Sequence, residues 1–125
     1  MELDYHSAAD GVDITSDRPG LCRLADLLAG GGELSLAQSA HPQRLRGVLV
    51  EATQGPVVIG VDDRGYLTVR GGAAGRSLFA DQLRDIADMD DGGHVHLEYF
   101  EDHHFLAPDS VPLIVNSPHG GMPRR

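Results

Sequence analysis

The run Gly93-His94-Val95-His96-Leu97-Glu98-Tyr99-Phe100-Glu101-Asp102-His103-His104-Phe105-Leu106-Ala107-Pro108-Asp109-Ser110 holds four of the chain's seven histidines. Imidazoles and carboxylates at this density can bind a metal, move protons or meet a charged partner. In an extended strand alternate side chains share a face. His94, His96 and Glu98 then point one way, and Val95, Leu97 and Tyr99 the other. Same-face neighbours lie about 6.5–7 Å apart along a strand, so His94, His96 and Glu98 could act as zinc ligands. The same alternation is also what a strand with one wet face displays, and wet faces are far commoner than metal sites. No Cys pair and no His-Glu-x-x-His helix supports the metal.

Two further chemistries are open to this run. Asp109 and Ser110 follow His103 and His104, so the residue types of a hydrolytic triad are close in sequence. Triads are defined by geometry, however, and no Gly-x-Ser-x-Gly elbow is present. Ser110 beside Pro108 reads more simply as a turn residue. The other chemistry is recognition of a protein. Tyr99, Phe100 and Phe105 are interleaved with Glu98, Glu101, Asp102, His103 and His104, and aromatic anchors in an acidic surround suit contact with a basic protein. Phe100 favours this reading, because it falls on the polar side of the alternation. The candidate partner-binding residues are therefore Glu98, Phe100, Glu101, Asp102, His103 and His104, with no catalytic residue and no cofactor.

Local patterns place the elements around this run. Val12 and Ile14 alternate with polar residues, as in a half-buried strand. Asp17 and Pro19 are start signals for a helix. Leu21, Leu24, Ala25 and Leu28 recur at helical spacing, and Gly30-Gly31-Gly32 ends the helix. Leu34 and Leu36 alternate again. Val48 to Val50, Val57 to Val61 and Tyr66 to Val69 read as strands, joined by turns at Thr53-Gln54-Gly55-Pro56 and Asp62-Asp63-Arg64-Gly65. A second helix opens near Gly75 or Ser77, with an apolar stripe of Leu78, Phe79, Leu83, Ile86 and Ala87. Strands over Val95–Phe100 and Leu113–Val115 finish the chain. Leu3 and Tyr5 offer a further edge strand near the N-terminus.

These elements predict an α+β fold, a mainly antiparallel sheet of about seven strands with two helices on one face. A weak internal duplication of strand, turn, helix, Gly-rich stop and strand is visible. Val12 to Leu28 lies over Leu67 to Leu83 at a shift of 55, and Gly32 to Leu36 lies over Gly93 to Leu97 at a shift of 61. Residues 1–116 are expected to form one domain, with pseudo-repeats 1–55 and 56–116, and residues 117–125 a disordered tail.

Composition narrows the function. The 125 residues are 41% hydrophobic, enough for a core, which must rest on Leu, Val, Ile and Ala because Trp is absent. A net charge of -9 disfavours nucleic acid and anionic membranes as partners and permits a basic protein, though ordinary solubility accounts for it equally well. The single Cys22 precludes an intrachain disulfide and fits a reducing compartment. No stretch approaches the length of a transmembrane helix and the N-terminus lacks a signal-peptide pattern, so the expected location is the cytoplasm.

The segment Gly93-His94-Val95-His96-Leu97-Glu98-Tyr99-Phe100, with Phe105 to Val115 after it and the second helix before it, resembles immunity protein family 32 of bacterial polymorphic toxin systems. The likeness spans roughly residues 57–116. It implies a small protein that binds and neutralises a cognate toxin without catalysis. The alternative that stays open is a small metal-binding protein or metal-dependent enzyme using His94, His96 and Glu98. A homodimer paired through sheet edges is also open.

Overall fold

A computed structural model describes residues 1–6, 11–36, 43–89, 93–116 and 118. Its elements run β1 (Glu2–His6), β2 (Gly11–Thr15), α1 (Arg18–Gly30), β3 (Gly32–Ser35), β4 (Gly47–Ala52), β5 (Val58–Val61), β6 (Tyr66–Gly71), α2 (Ala73–Ala87), β7 (His94–Leu97) and β8 (Leu113–Asn116). The fold is α+β, as predicted, but the eight strands form two four-stranded sheets, not one sheet of about seven. Their orders are β1-β2-β8-β7 and β3-β4-β6-β5. Each sheet is mixed: two antiparallel pairs flank a central parallel pair, β2 with β8 in one and β4 with β6 in the other. The predicted tail lies outside the described residues except for Pro118.

The α1 boundaries follow from its sequence. Asp17 accepts a hydrogen bond from the Gly20 N–H at 2.9 Å, which satisfies one of the free donors of the first turn. Pro19 has no N–H and so leaves no donor unsatisfied there. Gly31 ends the helix at φ 81°, a conformation that disfavours any side chain, and its N–H closes on the Leu27 carbonyl. Leu21, Leu24, Ala25 and Leu28 are all buried. The helix α2 starts earlier than expected, at Ala73, and its N-cap Gly72 has no side-chain cap. Long-range backbone contacts set that start: the Thr53 N–H donates to Gly71 O and the Gly72 N–H to Gly55 O. Leu78, predicted in the buried stripe, is 45% exposed, while Arg76 and Ala80 are buried in that stripe.

The two halves of the chain are topologically equivalent. Each reads strand, strand, helix, strand, strand, and each contributes one hairpin pair to each sheet. Val12 and Ile14 of β2 face Leu113 and Val115 of β8, just as Leu67 and Val69 of β6 face Val48 and Val50 of β4. The register moves one part of the sequence alignment. Leu34 pairs with Val48 and Leu97 with Leu113, so Leu34 corresponds to Leu97, two positions from the predicted match of Leu36. A slip of two keeps every side chain on its face, which is why alternation alone misses it.

The helices run antiparallel and pack against each other. Arg18 at the start of α1 bonds Asp88 just past α2, and Arg84 of α2 reaches Asp26 of α1 at 3.0 Å. One buried apolar cluster draws on both sheets and both helices, including Leu3, Ile14, Leu24, Leu28, Val48, Ile59, Leu67, Phe79, Leu83, Leu113 and Val115. It is almost wholly aliphatic, as composition required.

Candidate functional site

The strand β7 stops at Leu97, so Glu98 to Phe100 leave the sheet instead of extending it as predicted. A turn follows. The His103 N–H donates to Phe100 O at 3.0 Å, and Asp102 takes φ 68° within that turn. Asp102 is the one non-Gly residue at positive φ among the described residues, and Asp tolerates that region better than most. The chain is then pinned from below. Phe105 is buried, with its ring stacked on Phe79 of α2 at 5.9 Å and 18°. The segment after it lies along the outer edge of β5. The Val57 N–H donates to Phe105 O, and the N–H groups of Ala107 and Val111 donate to Val57 O and Ile59 O. That edge is thereby closed to other chains.

His103 holds the turn to this anchor. The N–H groups of Phe105 and Leu106 donate to its Nδ1 at 3.2 and 3.1 Å. Two donors converging on Nδ1 require the neutral ring with its proton on Nε2. The ring centroid lies 4.8 Å from that of Phe100 and 4.7 Å from that of Phe105, the latter pair at 87°. Burial pushes the His103 pKa below the ordinary histidine value of 6.5, and the neighbouring His104 lowers it further.

The predicted partner residues follow one another along this surface stretch, called the ridge below. Glu98, Phe100, Glu101, Asp102 and His104 are exposed, while His103 is half-buried. Phe100 is 59% exposed and Tyr99 37%. Tyr99, expected on the inward face, therefore joins the outer surface, whereas Phe105 belongs to the core. Glu98, Glu101 and Asp102 form no ion pair among the described residues. By contrast Asp4, Asp26, Glu51 and Asp88 are each paired with an arginine.

Acidic charge is concentrated in the stretch of sequence that contains this turn. Residues 85–123 contain eight Asp or Glu and no Lys or Arg; the remainder of the chain carries eleven acids against ten arginines. The net negative charge of the protein is thus a property of one contiguous segment, a signal that residue counting by segment would have exposed. Two open hollows lie elsewhere, one of about 430 Å³ beside Tyr5, Val58, Thr68, Arg70 and Asp109, the other of about 520 Å³ beside Ser35, Arg46, Arg64 and Tyr66.

The competing chemistries do not assemble. His94 and His96 share a face of β7 with ring centroids 4.9 Å apart, but Glu98 lies beyond the strand end. Among the described residues no three His, Cys, Asp or Glu converge into a group that could hold a metal. The Ser110 hydroxyl donates to Val57 O at 3.1 Å and accepts from the Ile59 N–H at 3.1 Å. It stitches the closed edge of β5, which gives it a structural duty, and its hydroxyl meets no His or carboxylate among the described residues. The sequence also offered no hint of Arg76, whose buried guanidinium donates to Gly71 O, Leu28 O and Ala29 O.

Residues 66–118 match the family of immunity protein 32. The matched immunity protein 32 segment opens at the first residue of β6 and takes in α2, β7, the ridge and β8. It is slightly narrower than the resemblance drawn from sequence, since β5 falls outside it. No curated protein and no solved structure matches the chain.

Proposed function

We propose that this protein is a toxin-neutralising immunity protein that acts by binding alone, and that the ridge from Glu98 to His104 grips a basic surface of its cognate toxin. One observation carries this reading: three exposed carboxylates with no ion pair among the described residues surround an exposed Phe100, on a turn anchored to the core through His103 and Phe105. A pre-ordered turn loses little conformational freedom on binding, which favours affinity. An aromatic ring within charged groups is the composition of an interface hot spot. The acidic segment would also speed encounter with a basic partner. A homodimer through this ridge would bring like charges together, so a second copy is the poorer fit.

No helix among the described residues is long and apolar enough to cross a membrane. Cys22 is a free, half-buried thiol, which suits the cytoplasm as the place of action.

The test is to search the neighbouring reading frames for a toxin domain, co-express it with this protein and follow binding by titration. The Glu101→Arg/Asp102→Arg variant should lose at least tenfold in affinity and fail to protect cells, because each reversed rim charge removes attraction and adds repulsion. Full protection and unchanged affinity in that variant would remove the ridge from the interface.

A further inference from the structure

We propose that His103 is a proton-operated latch on the ridge: neutral, it holds the Phe100–Asp102 turn in its binding form, and protonated, it releases the turn and weakens the grip on the partner. The link to partner affinity rests on the function proposed above; the latch itself rests on geometry alone.

The Nδ1 atom of His103 accepts two backbone N–H groups, from Phe105 and Leu106. This is the capping arrangement that Asp, Asn and Ser provide elsewhere, here built from a group that titrates near neutrality. A proton on Nδ1 removes the lone pair both donors use and sets one N–H against two others. That clash means the ring cannot keep its place, and the rings of Phe100 and Phe105, 4.8 and 4.7 Å from it, must give way as it moves. Phe105 and Leu106 are buried and bound to the β5 edge, so they stay. The movable part is the turn, which Asp102 already holds at positive φ.

The groups around the ring give the direction. Phe100 and Phe105 are uncharged. His104 is the charged neighbour acting on it, and its proton opposes one on His103. Glu101 and Asp102 sit on the same turn and are exposed to water, where screening blunts their effect. With the folded pKa below the ordinary 6.5, the unfolded or released form binds more protons than the latched form in the interval between the two values. Latching is therefore complete above the ordinary histidine value. It is lost progressively as pH falls below it and through the lowered one. Protonation also places positive charge within the acidic ridge, which acts against a basic partner in the same direction.

The experiment is NMR on the free full-length protein between pH 7.5 and 4.5, following the His103 imidazole and the exchange of the Phe105 and Leu106 amides. Protection of those two amides, corrected for intrinsic exchange, should fall by up to about tenfold per pH unit between the ordinary histidine value and the lowered one, and level off below the latter. His103→Asn places a non-titrating acceptor near the Nδ1 position, so its amide protection should be flat across the same range. Wild-type protection that stays constant while the imidazole takes up its proton would overturn the latch, as would an imidazole that stays neutral throughout. A second arm measures toxin-domain affinity at pH 7.5 and 5.0 for both proteins. Affinity that is insensitive to pH, alongside a working latch in the free protein, would show that the latch stands and that the ridge is not the interface.

Discussion

Arg76, in the first turn of α2, donates its guanidinium to the Leu28 carbonyl at the end of α1 at 2.9 Å and to Ala29 O at 3.0 Å. Carbonyls of a last helical turn have no partner of their own, and a cation there also meets the negative end of the helix dipole. Arg76 occupies the place in α2 that Leu21 occupies in α1: Leu24, Ala25 and Leu28 correspond to the buried Phe79, Ala80 and Leu83. One half thus uses a leucine and the other an arginine at equivalent buried positions. Replacing Arg76 with Leu should destabilise the protein by about 2 kcal/mol or more, because the Leu28 and Ala29 carbonyls lose the donor that Arg76 brings them, while Gly71 O keeps the Thr53 N–H. Chemical denaturation would report it, and a variant as stable as the parent would show that water serves those carbonyls equally well.

Phe100 and Phe105 flank the same imidazole but should behave oppositely when shortened. Phe105→Ala removes a buried ring stacked on Phe79 and should cost about 3–5 kcal/mol of stability. Phe100→Ala removes an exposed ring and should change stability by less than about 0.5 kcal/mol. Its effect should fall on toxin affinity, with a loss of about 2 kcal/mol for a hot-spot aromatic. Thermal unfolding beside calorimetric titration separates the two. A Phe100→Ala protein that binds as tightly as the parent would demote the ring to ornament.

Zinc uptake should be substoichiometric in protein made without a histidine tag. His94 and His96 supply two imidazoles on one strand face, and β7 ends before Glu98 can share that face. Metal analysis after dialysis against micromolar zinc decides it. One equivalent retained by the parent and lost in His96→Ala would revive a metal site.

Cutting the chain between β4 and β5 should not separate its halves. Each half places a strand pair in each sheet, and the parallel contacts β2 with β8 and β4 with β6 both cross between halves. A protease site placed at Gln54–Gly55, in an exposed turn, would be cut after folding. The nicked protein should elute at the size of the intact chain and split only in denaturant. Dissociation under native conditions would contradict the sheet pairing.

Legibility varied along the chain for physical reasons. The helix α1 was readable to its ends because its start, apolar stripe and stop are all encoded within it, in Asp17, the leucines and Gly31. The start of α2 was not, because Gly72 is fixed by Gly55, far away in sequence. The alternation His94 to Phe100 predicted a longer strand than forms. The His103 cap and the packing of Phe105 on Phe79 draw the chain off the sheet, and neither is visible in a period-two pattern. Phe100 was nonetheless identified as the misplaced aromatic, since an apolar ring among charges is a local anomaly. The burial of Arg76 is not legible in sequence, because a charged residue in a helix reads as solvent-facing until the carbonyls that make its burial tolerable are known.

What the chain's sequence determined alone was the order and type of its elements, the aliphatic make-up of its core, and the sign and place of its charge. These depend on periodicity, capping and composition, which act over a few residues. Only the tertiary structure decided that the strands divide between two sheets, with β4 beside β6 and β2 beside β8. Strand partners are chosen by contacts between distant segments, and a half-buried strand presents the same pattern to many candidate neighbours. The same distant contacts converted a run of imidazoles and carboxylates from a strand face into an anchored acidic ridge.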